Sequence, residues 1–208
     1  QGLQFGRIIS ARALGFDVPG VTVNRYCASG LETIAMATAK IRTGMADCIV
    51  AGGTESMSLV PTAGWKTVPS YSIAKDDPDY YLSMGLTAEA VAKDYKISRE
   101  AQDEFSYNSH QKAIAAIQNG YFKPGILPIN VEETYLDTKG KKQKRNYTID
   151  TDEGPRADTS IEALAKLKPA FAQGGVVTAG NSSQTSDGAA FVIVMGEKMM
   201  KELGLKPI

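Results

Sequence analysis

The tightest constraint on the chain lies at Val21-Thr22-Val23-Asn24-Arg25-Tyr26, rich in β-branched residues and followed at once by Cys27-Ala28-Ser29-Gly30. That pattern predicts a strand running into a tight turn. Behind it, Leu31, Ile34, Ala35, Thr38 and Ile41 recur on one face of a helix that Gly44 can close. Asp47-Cys48-Ile49-Val50-Ala51 then predicts a short buried strand ending at Gly52-Gly53. Two strands separated by a helix of this length imply a parallel βαβ crossover, and the fold class expected is α/β.

Periodicity is lost from Leu59 to Ser83, where Pro61, Gly64, Pro69 and Pro78 punctuate a long excursion carrying Trp65, Tyr71, Tyr80 and Tyr81. Excursions of this length usually serve function or assembly. Two helices are expected next, Leu86 to Tyr95 and Ser98 to Asn119, with Ser98 as N-cap and Gly120 as stop. Ile126 to Tyr135 and Asn146 to Ile149 can pair around Asp137-Thr138-Lys139-Gly140, and Ser160 to Leu167 predicts a short helix stopped by Pro169. Val176-Val177-Thr178 and Ala189 to Met195 are strand-like, with the polar segment 180–188 between them. At the start, Phe5, Ile8, Ile9 and Leu14 mark the buried side of a helix without a start signal, and Glu197 to Leu203 makes a short helix at the end. These ends have the character of a piece cut from a longer protein. An α/β core at both ends with a helix-rich insertion between them is the expected organisation.

Charge narrows the function. Over 208 residues, 23 Lys+Arg balance 23 Asp+Glu, so the basic excess that nucleic-acid binding needs is missing. The run Lys139-Gly140-Lys141-Lys142-Gln143-Lys144-Arg145 is therefore read as a solvated hairpin tip. No apolar run reaches the roughly 18 residues of a membrane span, and no signal segment opens the sequence. Two cysteines and one histidine cannot by themselves make a four-ligand zinc site, so no metal site is expected. With two cysteines and no terminal sorting signal, the cytoplasm is the expected compartment; a peroxisome or mitochondrion would need such a signal.

Cys27 has the placement of a nucleophile. Between a strand and the first turn of a helix, unsatisfied N–H groups favour an anion and the sharp turn exposes the sulfur. Ala28, Ser29 and Gly30 keep the turn narrow enough for a substrate to approach. The same amides could hold an oxyanion, worth roughly 3 to 4 kcal/mol per donor in acyl transfer. The plainer alternative is a small cysteine buried in a corner, and Cys48, inside Asp-Cys-Ile-Val-Ala, is read as inert core.

Val21 to Leu31, together with Ala51-Gly52-Gly53-Thr54-Glu55-Ser56-Met57-Ser58, closely resembles the thiolases, which make or cleave 3-ketoacyl-CoA thioesters. The likeness continues through Met84-Gly85-Leu86-Thr87-Ala88-Glu89, Ile97-Ser98-Arg99-Glu100-Ala101-Gln102-Asp103, Leu164 to Phe171 and Thr178 to Ala190. The resemblance implies a mixed sheet with covering helices as the N-terminal core, over 1–58 and 175–208, and a loop domain over 59–174 that covers CoA. It implies ping-pong acyl transfer through an acyl group on Cys27, with CoA contacts at Met84, Arg156, Phe171, Ser182 and Ser183. The CoA thioester is then substrate, no separate cofactor is expected, and the chain is expected to form a homodimer or homotetramer. The strand around Cys48 and the 59–83 segment are the expected contact regions.

The departures matter equally. The family's Gly-His-Pro and Cys-x-Gly segments, which belong to a C-terminal half, have no counterpart here; His110 lacks Gly before and Pro after, and is read as a helix-surface or packing residue. A general base contributes about 10² to 10⁴-fold, so little turnover is expected of this chain alone. It should also expose an apolar face where the second half would dock. Ser83-Met84-Gly85 in place of the His-Met-Gly frequent in biosynthetic members tilts the reading to a degradative thiolase. The alternative is a non-catalytic thiolase-like carrier of acyl-CoA or lipid, in which Cys27 only packs. A related ketosynthase is disfavoured by the Met84 and Asn181 segments.

Overall fold

A computed structural model describes residues 3–208 of the chain. In order come α1 (Phe5–Ala13), α2 (Ser29–Arg42), β1 (Cys48–Ser56), α3 (Tyr71–Asp76), α4 (Met84–Asp94), α5 (Arg99–Gln118), β2 (Ile129–Leu136), β3 (Lys142–Ile149), α6 (Ile161–Ala165), β4 (Asp187–Met195) and α7 (Glu197–Glu202). They form two units, one built from the chain up to Val68 and again from Thr185 to Ile208, the other from Pro69–Gln184. The fold is α/β, with helices and small sheets.

The discontinuous unit is organised by one antiparallel ladder, β1 with β4, in register from Cys48↔Met195 to Ser56↔Asp187. Gly52 is required there, because a Cβ at this position would stand 2.2 Å from the Ala190 carbonyl oxygen and 2.5 Å from the Phe191 ring. Helix α2 packs on β1, burying Ala37, and Thr33 Oγ1 donates to the Gly52 carbonyl at 3.2 Å. The far end of the ladder is tied off by Asp187, which accepts from the Ser58 amide at 2.9 Å and from the Ser58 hydroxyl. These bonds, the hydroxyl's first, hold the Asp187 carboxyl below its ordinary pKa. Val50, Phe191 and Ile193 remain exposed on the ladder.

The expected parallel crossover does not form. Residues 21–24 form no regular element, among the described residues no ladder includes them, and β1 is paired antiparallel with β4. The reason is local hydrogen bonding. The Thr22 amide donates to Gln4 Oε1 at 2.9 Å, and the Gly6 amide donates to Thr22 Oγ1 at 2.8 Å, so this segment lies along the start of α1 and satisfies itself through side chains. β-Branched composition favours a strand without supplying a neighbour to pair with.

The continuous unit is built on capped helices. Ser83, Ser98 and Ser160 each have extended backbone, and each hydroxyl accepts from the amide three residues on, opening α4, α5 and α6. Near its start α5 carries Arg99 and Asp103, whose Nε–Oδ2 ion pair is 2.7 Å with Asp103 almost completely buried. The same guanidinium donates through Nη2 to the carbonyls of Leu164 at 2.6 Å and Leu167 at 3.0 Å, fixing α6 and its exit to α5. Asp103 Oδ1 accepts from Asn181 Nδ2 at 3.1 Å, which brings in a segment 78 residues away. The strand expected at 176–178 is an irregular segment with an isolated bridge between Pro169 and Thr178, because side chains, not a ladder, take its amides.

Strands β2 and β3 form the expected hairpin, Ile129↔Ile149 to Leu136↔Lys142. Asp137 governs its turn, with Oδ1 accepting from the amides of Lys139 and Lys141, both at 2.9 Å, and Oδ2 from Gln143 Nε2 at 3.1 Å. The basic run is partly strand: Lys144 pairs with Glu132 at 2.8 Å, and Arg145 pairs with Glu133 at 2.7 Å while lying over the rings of Tyr135 and Tyr147. In the former excursion, α3 and a 3₁₀ turn over Pro78–Tyr81 are formed, with Tyr80 and Tyr81 edge to face.

Replacing Asp103 with alanine leaves Arg99 Nε and Asn181 Nδ2 without their shared partner. Loss of one member of such a buried pair costs about 3 kcal/mol or more, which urea unfolding followed by circular dichroism would register as a lower midpoint at unchanged slope. At the hairpin, the Gln143 side chain, then the Lys141 and Lys139 amides, lower the Asp137 pKa. A depressed folded-state value means the contribution is present above the ordinary carboxylate range and lost as pH falls through the folded value. Protection of the Lys139 and Lys141 amides, taken relative to their intrinsic exchange rates, is expected to fall as pH drops below the ordinary carboxylate range, and to be reduced in Asp137→Ala at every pH.

Candidate functional site

Cys27 lies two residues before α2, at a corner wound by side-chain hydrogen bonds. Asn24 Oδ1 accepts from the Tyr26 amide at 2.9 Å, Ser29 Oγ accepts from the Arg25 amide at 2.7 Å, and the same hydroxyl donates to the Tyr26 carbonyl at 2.7 Å. Amides of Ala28 and Ser29 close back on Arg25 and Tyr26. Tyr26 is held at φ 48, in the left-handed region that a non-glycine residue enters at a cost of about 1–2 kcal/mol. The strained residue therefore immediately precedes Cys27, and the thiol is exposed. Ala28, the N-cap of α2, offers no side-chain cap, and of the first-turn N–H groups that of Ser29 is taken by the Tyr26 carbonyl.

Cys48 departs from its reading as inert core. It opens β1 opposite Met195 and is exposed, because the ladder has two strands among the described residues and burial along β1 is complete only at Ala51.

The other expected positions all fall in the continuous unit, where the structure brings some of them together. Met84 is the first residue of α4 and is exposed. Phe171 lies against the next residue, with ring carbons 2.1 to 2.4 Å from where a Gly85 Cβ would stand, so the phenyl ring rests on bare backbone beside Met84. Ser182 and Ser183 follow Asn181. The Ser182 hydroxyl is turned into the chain, donating to the Thr178 carbonyl at 2.6 Å, whereas Ser183 is exposed and donates to the Gln184 carbonyl at 3.2 Å.

Arg156 lies on an open loop. Its guanidinium makes a two-point contact with Asp158, Nε–Oδ1 at 3.1 Å and Nη2–Oδ2 at 2.9 Å, which holds the Asp158 carboxyl below the usual range. Both side chains are mostly exposed, so the pair is weak and a phosphate could compete for the guanidinium. The Arg156 amide donates to His110 Nδ1 at 3.1 Å. His110, half-buried on α5, thus anchors the loop that carries Arg156.

The supporting residues are Glu89, Arg99, Asp103 and Asn181. All four are polar residues inside segments that resemble the family, but their pairing across the chain has no sequence signature. Glu89 accepts from the Val176 amide at 3.0 and 3.1 Å and from the Val177 amide at 2.9 Å. Among the described residues, no helix is long and apolar enough to cross a membrane.

Known proteins match this arrangement along nearly its whole length. The chain is 49% identical over 209 residues to a 3-ketoacyl-CoA thiolase of Bacillus subtilis, covering 100% of this chain and 54% of the relative. It is 45% identical to an acetyl-CoA acetyltransferase of Pseudomonas aeruginosa, over 92% of this chain and 50% of the relative. Among solved structures, the dimeric peroxisomal thiolase of Saccharomyces cerevisiae superposes with a TM-score of 0.78 at 36% identity, covering 94% of this chain and 48% of that one. The chain therefore spans about half the length of the relatives it matches. The family model described as the thiolase N-terminal domain matches residues 7–198, and the chain belongs to the thiolase family.

Proposed function

We propose that this chain contributes the nucleophile and the CoA contacts of an acyl transfer between CoA thioesters, 3-ketoacyl-CoA thiolysis or acetyl-CoA condensation. The single observation that carries this is the exposed Cys27 thiol, set beside a strained Tyr26 at an uncapped helix start. In the condensing direction Cys27 Sγ attacks the thioester carbonyl of acetyl-CoA, its proton passes to a base, and the tetrahedral oxyanion collapses with departure of CoA; in thiolysis Sγ attacks the 3-keto carbonyl instead, and collapse breaks the C2–C3 bond, acetyl-CoA leaving as a carbanion that takes up a proton. The acyl group on sulfur then passes to free CoA, or to the carbanion of a second acetyl-CoA in the condensing direction. With the Ala28 and Ser29 amides taken by the Arg25 and Tyr26 carbonyls, the next amides of the first turn of α2, at Gly30 and Leu31, are the ones suited to the developing oxyanion. His110, the one histidine of the sequence, accepts the Arg156 amide at Nδ1 and is not assigned the role of base.

Residues 59–174 are the proposed cover for CoA. Met84 and Phe171 offer an apolar wall to the pantetheine arm, Ser183 an exposed hydroxyl for its amides, and Arg156 a cation for a phosphate. Ser182 would act through its hydroxyl oxygen as acceptor, its proton being committed to Thr178. Homo-oligomer formation is part of the same proposal, supported by the open outer edge of β1 among the described residues and by the dimeric yeast relative.

In the protein expressed with its native flanking sequence, acetyl-CoA should acylate Cys27 and leave Cys48 free, as read by peptide mass spectrometry. Cys27→Ser should lose the adduct and retain CoA binding. Acylation of neither cysteine, with CoA still bound, would establish the carrier reading instead. Arg156→Ala should weaken CoA by about 10- to 100-fold, the value of one charge-assisted contact of roughly 1.5–3 kcal/mol, and should flatten the salt dependence of binding.

A further inference from the structure

The segment 176–183 has no ladder to shape it, yet its hydrogen-bonding groups are placed with little freedom. Asn181 turns its whole carboxamide inward: Nδ2 donates to Asp103 Oδ1 and to the Val176 carbonyl, both at 3.1 Å, and Oδ1 accepts from the Thr178 amide at 2.7 Å. Thr178 is completely buried, and its Oγ1 accepts from the amides of Gly180 at 3.2 Å and Asn181 at 3.3 Å. Its carbonyl receives the Ser182 hydroxyl. Asp103 is itself oriented by Arg99, and the start of the segment is gripped by Glu89 on α4, the helix that begins at Met84.

Those bonds run toward the interior of the unit. Ser183, next in the chain, is exposed, and its hydroxyl donates to the neighbouring Gln184 carbonyl. A turn braced on its inner side, with a hydroxyl left on the outer side, is an arrangement for presenting that hydroxyl at a set position. We propose that Asn181 and Thr178 are positioning residues that hold the 178–183 turn so that Ser183 meets the pantetheine amides of CoA. The inference rests on the reading that Ser183 contacts CoA, and extends it to residues that touch no ligand. Removing the Asn181 carboxamide leaves the Thr178 amide, the Val176 carbonyl and Asp103 Oδ1 short of a partner, and the turn reorganises. Removing the Thr178 hydroxyl at constant shape strips the acceptor from two amides.

The test compares CoA with 3′-phospho-ADP, which keeps the phosphates and adenine and lacks pantetheine, by calorimetric titration of the full chain at a temperature where circular dichroism shows each variant folded. Asn181→Ala and Thr178→Val should bind CoA about 10- to 100-fold more weakly, the scale on which small misplacements act. Both should bind 3′-phospho-ADP within about twofold of the parent on the same reasoning, and Thr178→Ser should keep the parent's CoA affinity. Should Asn181→Ala not fold, the Thr178→Val and Thr178→Ser pair decides. Unchanged CoA affinity in the folded variants, or equal losses for both ligands, overturns the positioning role while leaving the CoA reading intact. If the parent does not bind CoA, or if Ser183→Ala binds it as the parent does, the underlying reading fails and takes this inference with it.

Discussion

The continuous unit depends on one buried carboxylate. Asp103 is reached by a guanidinium from its own helix and by a carboxamide from the far end of the unit; it joins α5 to the 176–183 turn, and through Arg99 to the exit of α6. Burying that charge is tolerable because both of its oxygens have partners. The arrangement also accounts for why the 176–183 segment can be irregular. Its backbone bonds are met by Glu89, Asn181 and Thr178, and the unit keeps a defined loop where a strand would have turned alternate side chains to either face.

The discontinuous unit solves its problem differently. Its center is the β1–β4 ladder, whose close approach at Gly52 leaves no room for a side chain, and its reactive corner is bound by Asn24 and Ser29. Tyr26 holds a costly backbone angle that these bonds maintain. Strain of this kind persists where neighbouring groups over-determine it, and here it falls one residue before the thiol.

Much of this was legible in the residues. Ser98 announces a helix start as an N-cap, the helix read from Ser160 opens there, and Asp137 announces the hairpin turn, because capping and turn chemistry are local. Ser83, which caps α4 at a start two residues ahead of the one expected at Leu86, lies at the end of the irregular excursion. The exposed cysteine corner was legible for the same reason. What could not be read was partnership over distance. Residues 21–26 have strand composition, but nothing local reveals that Gln4 and Thr22 will take over the pairing. Cys48 has a core-like neighbourhood in sequence, and its exposure follows from how many strands the sheet has. Asp103 and Asn181 each stand inside a recognisable segment, while the bond between them spans 78 positions.

The tie between Ser58 and Asp187 closes a loop of 129 positions, and the whole of the continuous unit lies inside it. During synthesis from the N-terminus, β1 must wait for its pairing partner until the intervening unit has emerged. The later-made half of the ladder then arrives when its neighbour has already had time to fold. Order of manufacture thus separates the two units in time: the uninterrupted one can mature first, and the Cys27-bearing one is completed last, through a contact of high sequence separation that carries the larger loop-closure entropy.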